Sequence, residues 1–293
     1  MIALVALAGL CWGVLTLLLF AFQSHLVFLP EVGRETAGTP ADRGITFREL
    51  SIETEDGERL QAWLADAAGL LPGGHGLVLY FHGNAGNLAA RLDQIELFHQ
   101  LGWRTLIVSW RGYGRSTGRP DEAGTYRDAA AAWRHATGAL GQTPQSIVVF
   151  GESLGGGPAI WLAAREPVGG LITLGTFTSI PDLGQHHYPW LPVRAVARVR
   201  YDNLATLPGV RAPLLAIHAR EDETIPFAHA ERLIAAAGGA RAGGGAPVTL
   251  LALHGDHDNA FRQSAAEYRG GIAQFLGTLR ADPPAGGSDG KRD

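Results

Sequence analysis

Residues 148–159 read VVFGESLGGGPA, from Val148 to Ala159. One serine, Ser153, stands between Gly151 and Gly155, after a β-branched run and before residues suited to a helix. The plain reading is a strand-to-helix turn whose serine caps the helix. The sharper reading is a nucleophile elbow, G-x-S-x-G, formed by Gly151-Glu152-Ser153-Leu154-Gly155. Such a turn presents the serine hydroxyl at the edge of a sheet. Glycines beside it let neighbouring backbone come close where a Cβ would clash. The motif alone does not decide between the two, so the flanking sequence must.

Outward from this stretch, strand-like and helix-like segments alternate. Apolar runs at 76–81 (GLVLYF), 105–110 (TLIVSW), 146–150 (SIVVF), 170–175, 213–218 (PLLAIH) and 248–253 (VTLLAL) read as strands. Helical patterns fall near 88–101, 125–137, 154–165, 226–237 and 262–279. Continuous apolar strands separated by helices predict an α/β fold with a mostly parallel central sheet and helices on both faces. Segments 45–54 and 59–65 flank Glu55-Asp56-Gly57-Glu58, a hairpin signal that adds antiparallel strands at one edge. The alternation lapses at 178–207 into TSIPDLGQHHYPWLPVRAVARVRYDNLATL. This Pro- and aromatic-rich stretch is placed to form a small cap over the carboxyl ends of the strands.

At 293 residues, 46% hydrophobic and 18% charged, the chain has the material for a large core, and this composition excludes a disordered protein. A net charge of −4 without a basic run leaves no electrostatic footprint for nucleic acid, so no such partner is expected. Cys11 is the only cysteine, which excludes an intrachain disulfide. Residues 1–30 hold no Asp, Glu, Lys or Arg, and 2–22 are almost wholly apolar. About twenty such residues in a helix cross the ~30 Å hydrocarbon core of a bilayer. A cleaved signal peptide competes with this reading. The segment lacks a basic leader and a clear small-x-small cleavage site, so the expectation is an uncleaved, single-pass anchor. Arg34 is flanked by Glu31 and Glu35, which leaves the membrane orientation unspecified. The expected organisation is an anchor at 1–24, a connector at 25–43, an α/β domain at 44–280 with its cap, and a disordered tail at 281–293.

In open α/β sheets ligands gather beyond the carboxyl ends of the strands. Four groups of reactive residues follow predicted strand ends: 82–87 (HGNAGN), Ser153, 218–223 (HAREDE) and 254–258 (HGDHD). Together they supply serine, carboxylate and histidine in the chain order of α/β-hydrolases. A serine hydroxyl needs a base to become a nucleophile, and a carboxylate fixes the tautomer of that base. The tetrahedral oxyanion needs preorganised donors. The backbone N–H of Leu154, after the nucleophile, and that of Asn84, in the HGN turn, are placed for this. Spacing leaves Glu221, Asp222 and Glu223 open as the acid, and His254 and His257 open as the base. His82 reads as a structural residue of the oxyanion turn, and His186 and His187 as cap residues. The 254–258 run could instead ligate a metal, although no matching ligands accompany it.

The ordered set of motifs resembles the membrane-anchored α/β-hydrolase-fold serine hydrolases that include the depalmitoylating α/β-hydrolase-domain proteins and their bacterial relatives. The resemblance runs from 22–30 (FQSHLVFLP) through 80–87 (YFHGNAGN), 109–122 (SWRGYGRSTGRPDE), 151–159 (GESLGGGPA), 176–183 (TFTSIPDL), 188–193 (YPWLPV), 218–226 (HAREDETIP) and 255–261 (GDHDNAF). It implies Ser153 as nucleophile, Asp222 as acid and His257 as base. It also implies hydrolysis of an acyl ester or thioester, with no metal or organic cofactor. A peptidase or amidase on the same residues, or a silent membrane-anchored binding protein, are the alternatives. Three positions depart from the family pattern: Ala219 replaces a common glycine, Asp258-Asn259 reverses the usual Asn-Asp, and Ser109 replaces a usual aspartate.

Overall fold

The structure is a computed structural model that describes residues 1–69, 75–240 and 244–279. The expected disordered tail at 281–293 lies outside the described residues. The chain opens with α1 (Ile2–Val27), then forms β1 (Phe47–Glu53), β2 (Arg59–Ala65) and β3 (Leu77–Phe81). Next come α2 (Leu92–Gln100), β4 (Arg104–Val108), α3 (Glu122–Arg134), β5 (Ile147–Glu152), α4 (Gly156–Ala163) and β6 (Gly170–Leu174). The segment before the next strand carries α5 (Ile180–His187), α6 (Val193–Val196) and α7 (Asn203–Thr206). The chain continues with β7 (Leu214–Ala219), α8 (Ala228–Ala240), β8 (Val248–Leu253), α9 (Ala260–Gln263) and α10 (Ala265–Thr278).

Among the described residues these strands form one eight-stranded sheet, ordered β1-β2-β4-β3-β5-β6-β7-β8. The β1–β2 and β2–β4 pairs are antiparallel, and every pair from β4 to β8 is parallel. The expected α/β architecture is therefore the observed one. Alternation along each strand divides the core into two layers. Leu77, Leu79 and Phe81 of β3 meet α3, α4 and α8 residues such as Trp133, Ile160 and Leu233. Val78 and Tyr80 face the other way, toward Ile95 and Phe98 of α2 and Ile272 and Phe275 of α10. A third cluster contains Phe28, Leu154, Phe177, Val199, Tyr201 and Ile225. It joins the residues just after α1 to the turn that follows β5.

Helix boundaries differ from expectation where side chains compete with backbone. α3 starts at Glu122, earlier than the sequence suggests, because Asp121 accepts from the Gly124 N–H at 2.8 Å and caps it. The helix expected at 262–279 breaks at Ser264, whose hydroxyl bonds the backbone of His254 in both directions at 3.0 Å. That break ties the last helices to the loop after β8. α1 is long and apolar enough to cross a membrane, and Leu4, Leu7, Leu10 and Leu17 along it are exposed.

Candidate active site

β3 and β5 pair with Phe81 opposite Gly151, so the loops that follow them leave the sheet at one level. After β5 the chain turns abruptly at Ser153, which has φ +50. A non-glycine residue in this left-handed region is strained, and such strain collects at functional sites. The turn is held by Thr176, whose hydroxyl donates to the Ser153 carbonyl at 2.9 Å.

His257 arrives from the loop after β8. Its Nε2 lies 3.1 Å from Ser153 Oγ, and its Nδ1 lies 2.7 Å from Asp222 Oδ2. Asp222 comes from the loop after β7 and is buried. Its other oxygen accepts the N–H groups of Thr224 at 3.0 Å and Ile225 at 2.7 Å. An ionised carboxylate only accepts, so Nδ1 carries the proton toward Asp222 and Nε2 presents its lone pair to the Ser153 hydroxyl. Burial works against a charged His257 ring. The hydrogen bond and charge of Asp222, helped by Asp258 and Glu152, outweigh it and raise the imidazole pKa above its ordinary value.

The competing residues go elsewhere. Glu221 accepts from the Gly255 N–H at 2.7 Å and lies 3.3 Å from His254 Nδ1, both on the surface. Glu223 is exposed. Asp256 accepts from the N–H groups of Asp258 and Asn259 at 3.0 and 2.9 Å, which shapes the turn carrying His257. Among the described residues no group of three or more His, Cys, Asp or Glu side chains gathers as a metal site. The departure at Ala219 leaves the acid loop ordered: His218 Nε2 donates to the Ile225 carbonyl at 2.7 Å. Burial lowers the His218 pKa and keeps that ring neutral. Ser109, in place of the usual aspartate, is fully buried with its hydroxyl unpaired.

Leu154 and Asn84 line the same cavity as Ser153. The Asn84 side chain accepts from the Leu29 N–H at 2.9 Å and from the Tyr113 hydroxyl at 2.7 Å, which fixes the turn after β3. His82 is buried, and burial together with the Arg91 charge lowers its pKa to about 3. It is neutral, with Nδ1 2.7 Å from the Gly83 carbonyl, in keeping with a structural role. Three neighbours were not legible in the sequence. Glu152 accepts from the Tyr80 hydroxyl and lies 3.4 Å from Arg91 Nε, while Arg91 Nη2 donates to the Ala85 carbonyl at 2.7 Å. This chain of contacts couples the elbow to the turn after β3. No local motif announces it, since Tyr80, Arg91 and Glu152 meet only in the folded sheet.

Among the described residues, a larger and a smaller cavity reach Ser153. The larger, about 550 Å³, is lined mainly by apolar residues, among them Leu154, Phe177, Ile180, Leu183 and Ile225. The smaller, about 210 Å³, lies toward Arg91, Gln94, Glu152, Asp258 and Arg262. An oriented hydroxyl, an imidazole within reach of it and a buried carboxylate beside an apolar cavity are equipped for acyl transfer.

Residues 76–211 match the family model described as the alpha/beta hydrolase fold. An uncharacterized protein of Mycobacterium tuberculosis is 37% identical over 238 residues, covering 80% of this chain and 82% of its own. The alpha/beta hydrolase domain-containing protein WAV2 of Arabidopsis thaliana is 33% identical, covering 75% of this chain and 77% of its own. An uncharacterized membrane protein of Saccharomyces cerevisiae is 30% identical, covering 73% and 77%. Among solved structures, the Pyrococcus furiosus esterase Pf2001 superposes with a TM-score of 0.71 at 18% identity, covering 87% of this chain and 99% of its own. That likeness shows the fold. On these relatives and on the sheet they share, the chain belongs to the α/β-hydrolase-fold family.

Proposed function

We propose that the chain is a membrane-anchored serine hydrolase that cleaves carboxylic esters or thioesters bearing an apolar acyl group. The observation that carries this reading is the contact series Ser153 Oγ, His257 Nε2 and Nδ1, Asp222 Oδ2, at 3.1 and 2.7 Å, beside a cavity of about 550 Å³. That volume lies within the usual range for small-molecule sites.

In this mechanism Ser153 Oγ attacks the acyl carbonyl carbon while His257 Nε2 takes the hydroxyl proton. The carbonyl oxygen becomes an oxyanion and is met by the backbone N–H groups of Leu154 and Asn84. Asp222 holds the imidazolium in place and stabilises its charge. Collapse breaks the bond to the alcohol or thiol, which leaves with the proton from His257. A water molecule then gives its proton to His257 and attacks the acyl-serine, and a second collapse returns the proton to Ser153 and releases the acid.

The exposed apolar surface of α1 supports the anchor at 1–24, with 25–43 as connector, and a Saccharomyces cerevisiae relative is called a membrane protein. Helices α5 to α7 support the assignment of 178–207 as a cap within the domain at 44–280. A fluorophosphonate probe tests the reading: it labels the wild type and spares Ser153→Ala. Absence of wild-type labelling, together with no hydrolysis across a panel of acyl esters and thioesters, would remove the proposal.

A further inference from the structure

Gln23 is buried, the exception in a helix whose other side chains are exposed or half-buried. Its amide grips the cap: Nε2 donates to the Val196 carbonyl at 3.3 Å, and Oε1 accepts from the N–H groups of Arg198 and Val199. Arg198 in turn donates to the Phe20 carbonyl at 3.0 Å, and its guanidinium lies 4.6 Å from the centre of the Phe20 ring. Further down α1, Trp12 Nε1 donates to the Trp190 carbonyl at 2.8 Å. Helix and cap are therefore joined at Trp12, Phe20 and Gln23, and at Val27, which packs against the cluster that holds Val199.

That length conflicts with a simple tether. From Trp12 to Val27 the helix rises about 22 Å, at about 1.5 Å per residue. The part before Trp12 supplies only about 15 Å, half of the ~30 Å hydrocarbon core. For α1 to span, the cap edge beside Trp12 must enter the membrane too. That edge carries Tyr188 and Trp190, which are 50% and 56% exposed. Their rings present large apolar surfaces, each with one polar atom, to whatever surrounds that edge. The face of α1 bearing Leu19, Gln23, Leu26 and Val27, at helical spacing, also lines the cavity that reaches Ser153.

We infer that the cap edge at Tyr188 and Trp190 sits in the bilayer leaflet beside α1, so that acyl chains held by the membrane enter the Ser153 cavity sideways along the α1 wall. The inference deepens the hydrolase reading and rests on it for the substrate. Its class is a membrane-resident, long-chain acyl ester or thioester, with the acyl chain against Leu19, Leu26 and Val27 and its carbonyl at Ser153. On this view α1 is a wall of the substrate site as well as an anchor.

The test uses the full chain in phosphatidylcholine vesicles. A nitroxide is placed at Trp190→Cys in a Cys11→Ser background, with Arg119→Cys, at an exposed position outside the cap segment 178–207, as reference. The expected result is high collision with oxygen and low collision with a water-soluble nickel reagent at position 190, and the reverse at position 119. Equal nickel access at both positions would overturn the inference. Activity gives a second arm, with palmitoyl and acetyl esters of one chromogenic alcohol in the same vesicles. Trp190→Ser, which removes a large exposed ring, lowers the palmitoyl-to-acetyl ratio of kcat/KM about tenfold. Leu26→Trp, which fills the α1 wall, lowers the same ratio. Ratios within twofold of wild type for both variants would overturn lateral entry. Wild-type inactivity on both esters would instead sink the hydrolase reading, while the nitroxide arm still decides where the cap lies.

Discussion

A Cβ built on Gly155 would lie 2.1 Å from the carbonyl oxygen of Phe81. The turn after Ser153 thus presses against the end of β3 with no room for a methyl group. Gly155→Ala has to push backbone from backbone, and overpacking of this kind costs about 1–3 kcal/mol or more. In a domain of this size the melting temperature falls by about 2–4 °C per kcal/mol. The same shift moves Ser153 away from His257, so kcat drops alongside stability. Thermal denaturation and steady-state kinetics on one preparation check both, and unchanged values in either would contradict the crowding.

Ser153 carries its φ of +50 with a Cβ that glycine would not have. Both Ser153→Ala and Ser153→Gly abolish hydrolysis, but they separate in stability. The alanine variant keeps the strain, whereas the glycine variant relieves it at a cost of about 1–3 kcal/mol in the other two. Part of the gain is offset by the larger entropy of unfolded glycine. The expected order in chemical denaturation is glycine above alanine by about 1 kcal/mol. Equal midpoints would mean that the strain is no larger than the entropic cost of glycine, about 0.5–1 kcal/mol.

Asp222 holds one imidazole tautomer and raises its pKa through the 2.7 Å contact. Asp222→Asn keeps the shape, loses the charge and favours the wrong tautomer. On the serine-protease precedent kcat falls by about 10⁴-fold. Fluorophosphonate labelling slows in step while circular dichroism is unchanged. A loss below tenfold would remove Asp222 from the mechanism.

The pH dependence has a defined sign. His257 must be neutral to accept the Ser153 proton, so kcat/KM falls as pH drops through the imidazole pKa. Because Asp222, Asp258 and Glu152 raise that pKa, the acid limb lies above the ordinary histidine value of about 6.5. In Asp222→Asn the largest raising influence is lost, so the limb moves to lower pH. A limb that stays in place would point to a different titrating group.

Arg111 is buried and bridges two carboxylates: Nε donates to Asp128 at 2.9 Å, and Nη1 donates to Asp56 at 2.8 Å. Burial raises the Asp128 pKa to about 6 even beside this cation, while Arg111 holds Asp56 low. Arg111→Gln strands the Asp128 carboxyl in the core, and losing one partner of a buried pair costs about 3–5 kcal/mol. Denaturant titration at neutral pH should show that loss. A cost under 1 kcal/mol would place the pair effectively in solvent.

The sequence by itself determined the sheet, the elbow and the chain order of the reactive groups. Strand period, glycine spacing and the helix that must follow a parallel strand are properties of neighbours along the chain, so VVFGESLGGGPA and its flanks suffice to read them. Only a resemblance to known proteins separated Asp222 from Glu221 and His257 from His254, because adjacent loop residues of one chemical type look alike in a string. Tertiary structure separates them physically: Asp222 is turned inward by the N–H groups of Thr224 and Ile225, and Glu221 is drawn outward by Gly255. Gly175, at φ +55, leaves a Cβ-free space beside the His257 ring and the Asp222 carboxylate. The grip of Gln23 on the cap and the Tyr80–Glu152–Arg91 contacts were likewise decided only in space. Their partners lie tens to hundreds of residues apart, and no local pattern encodes where a folded sheet will bring them together.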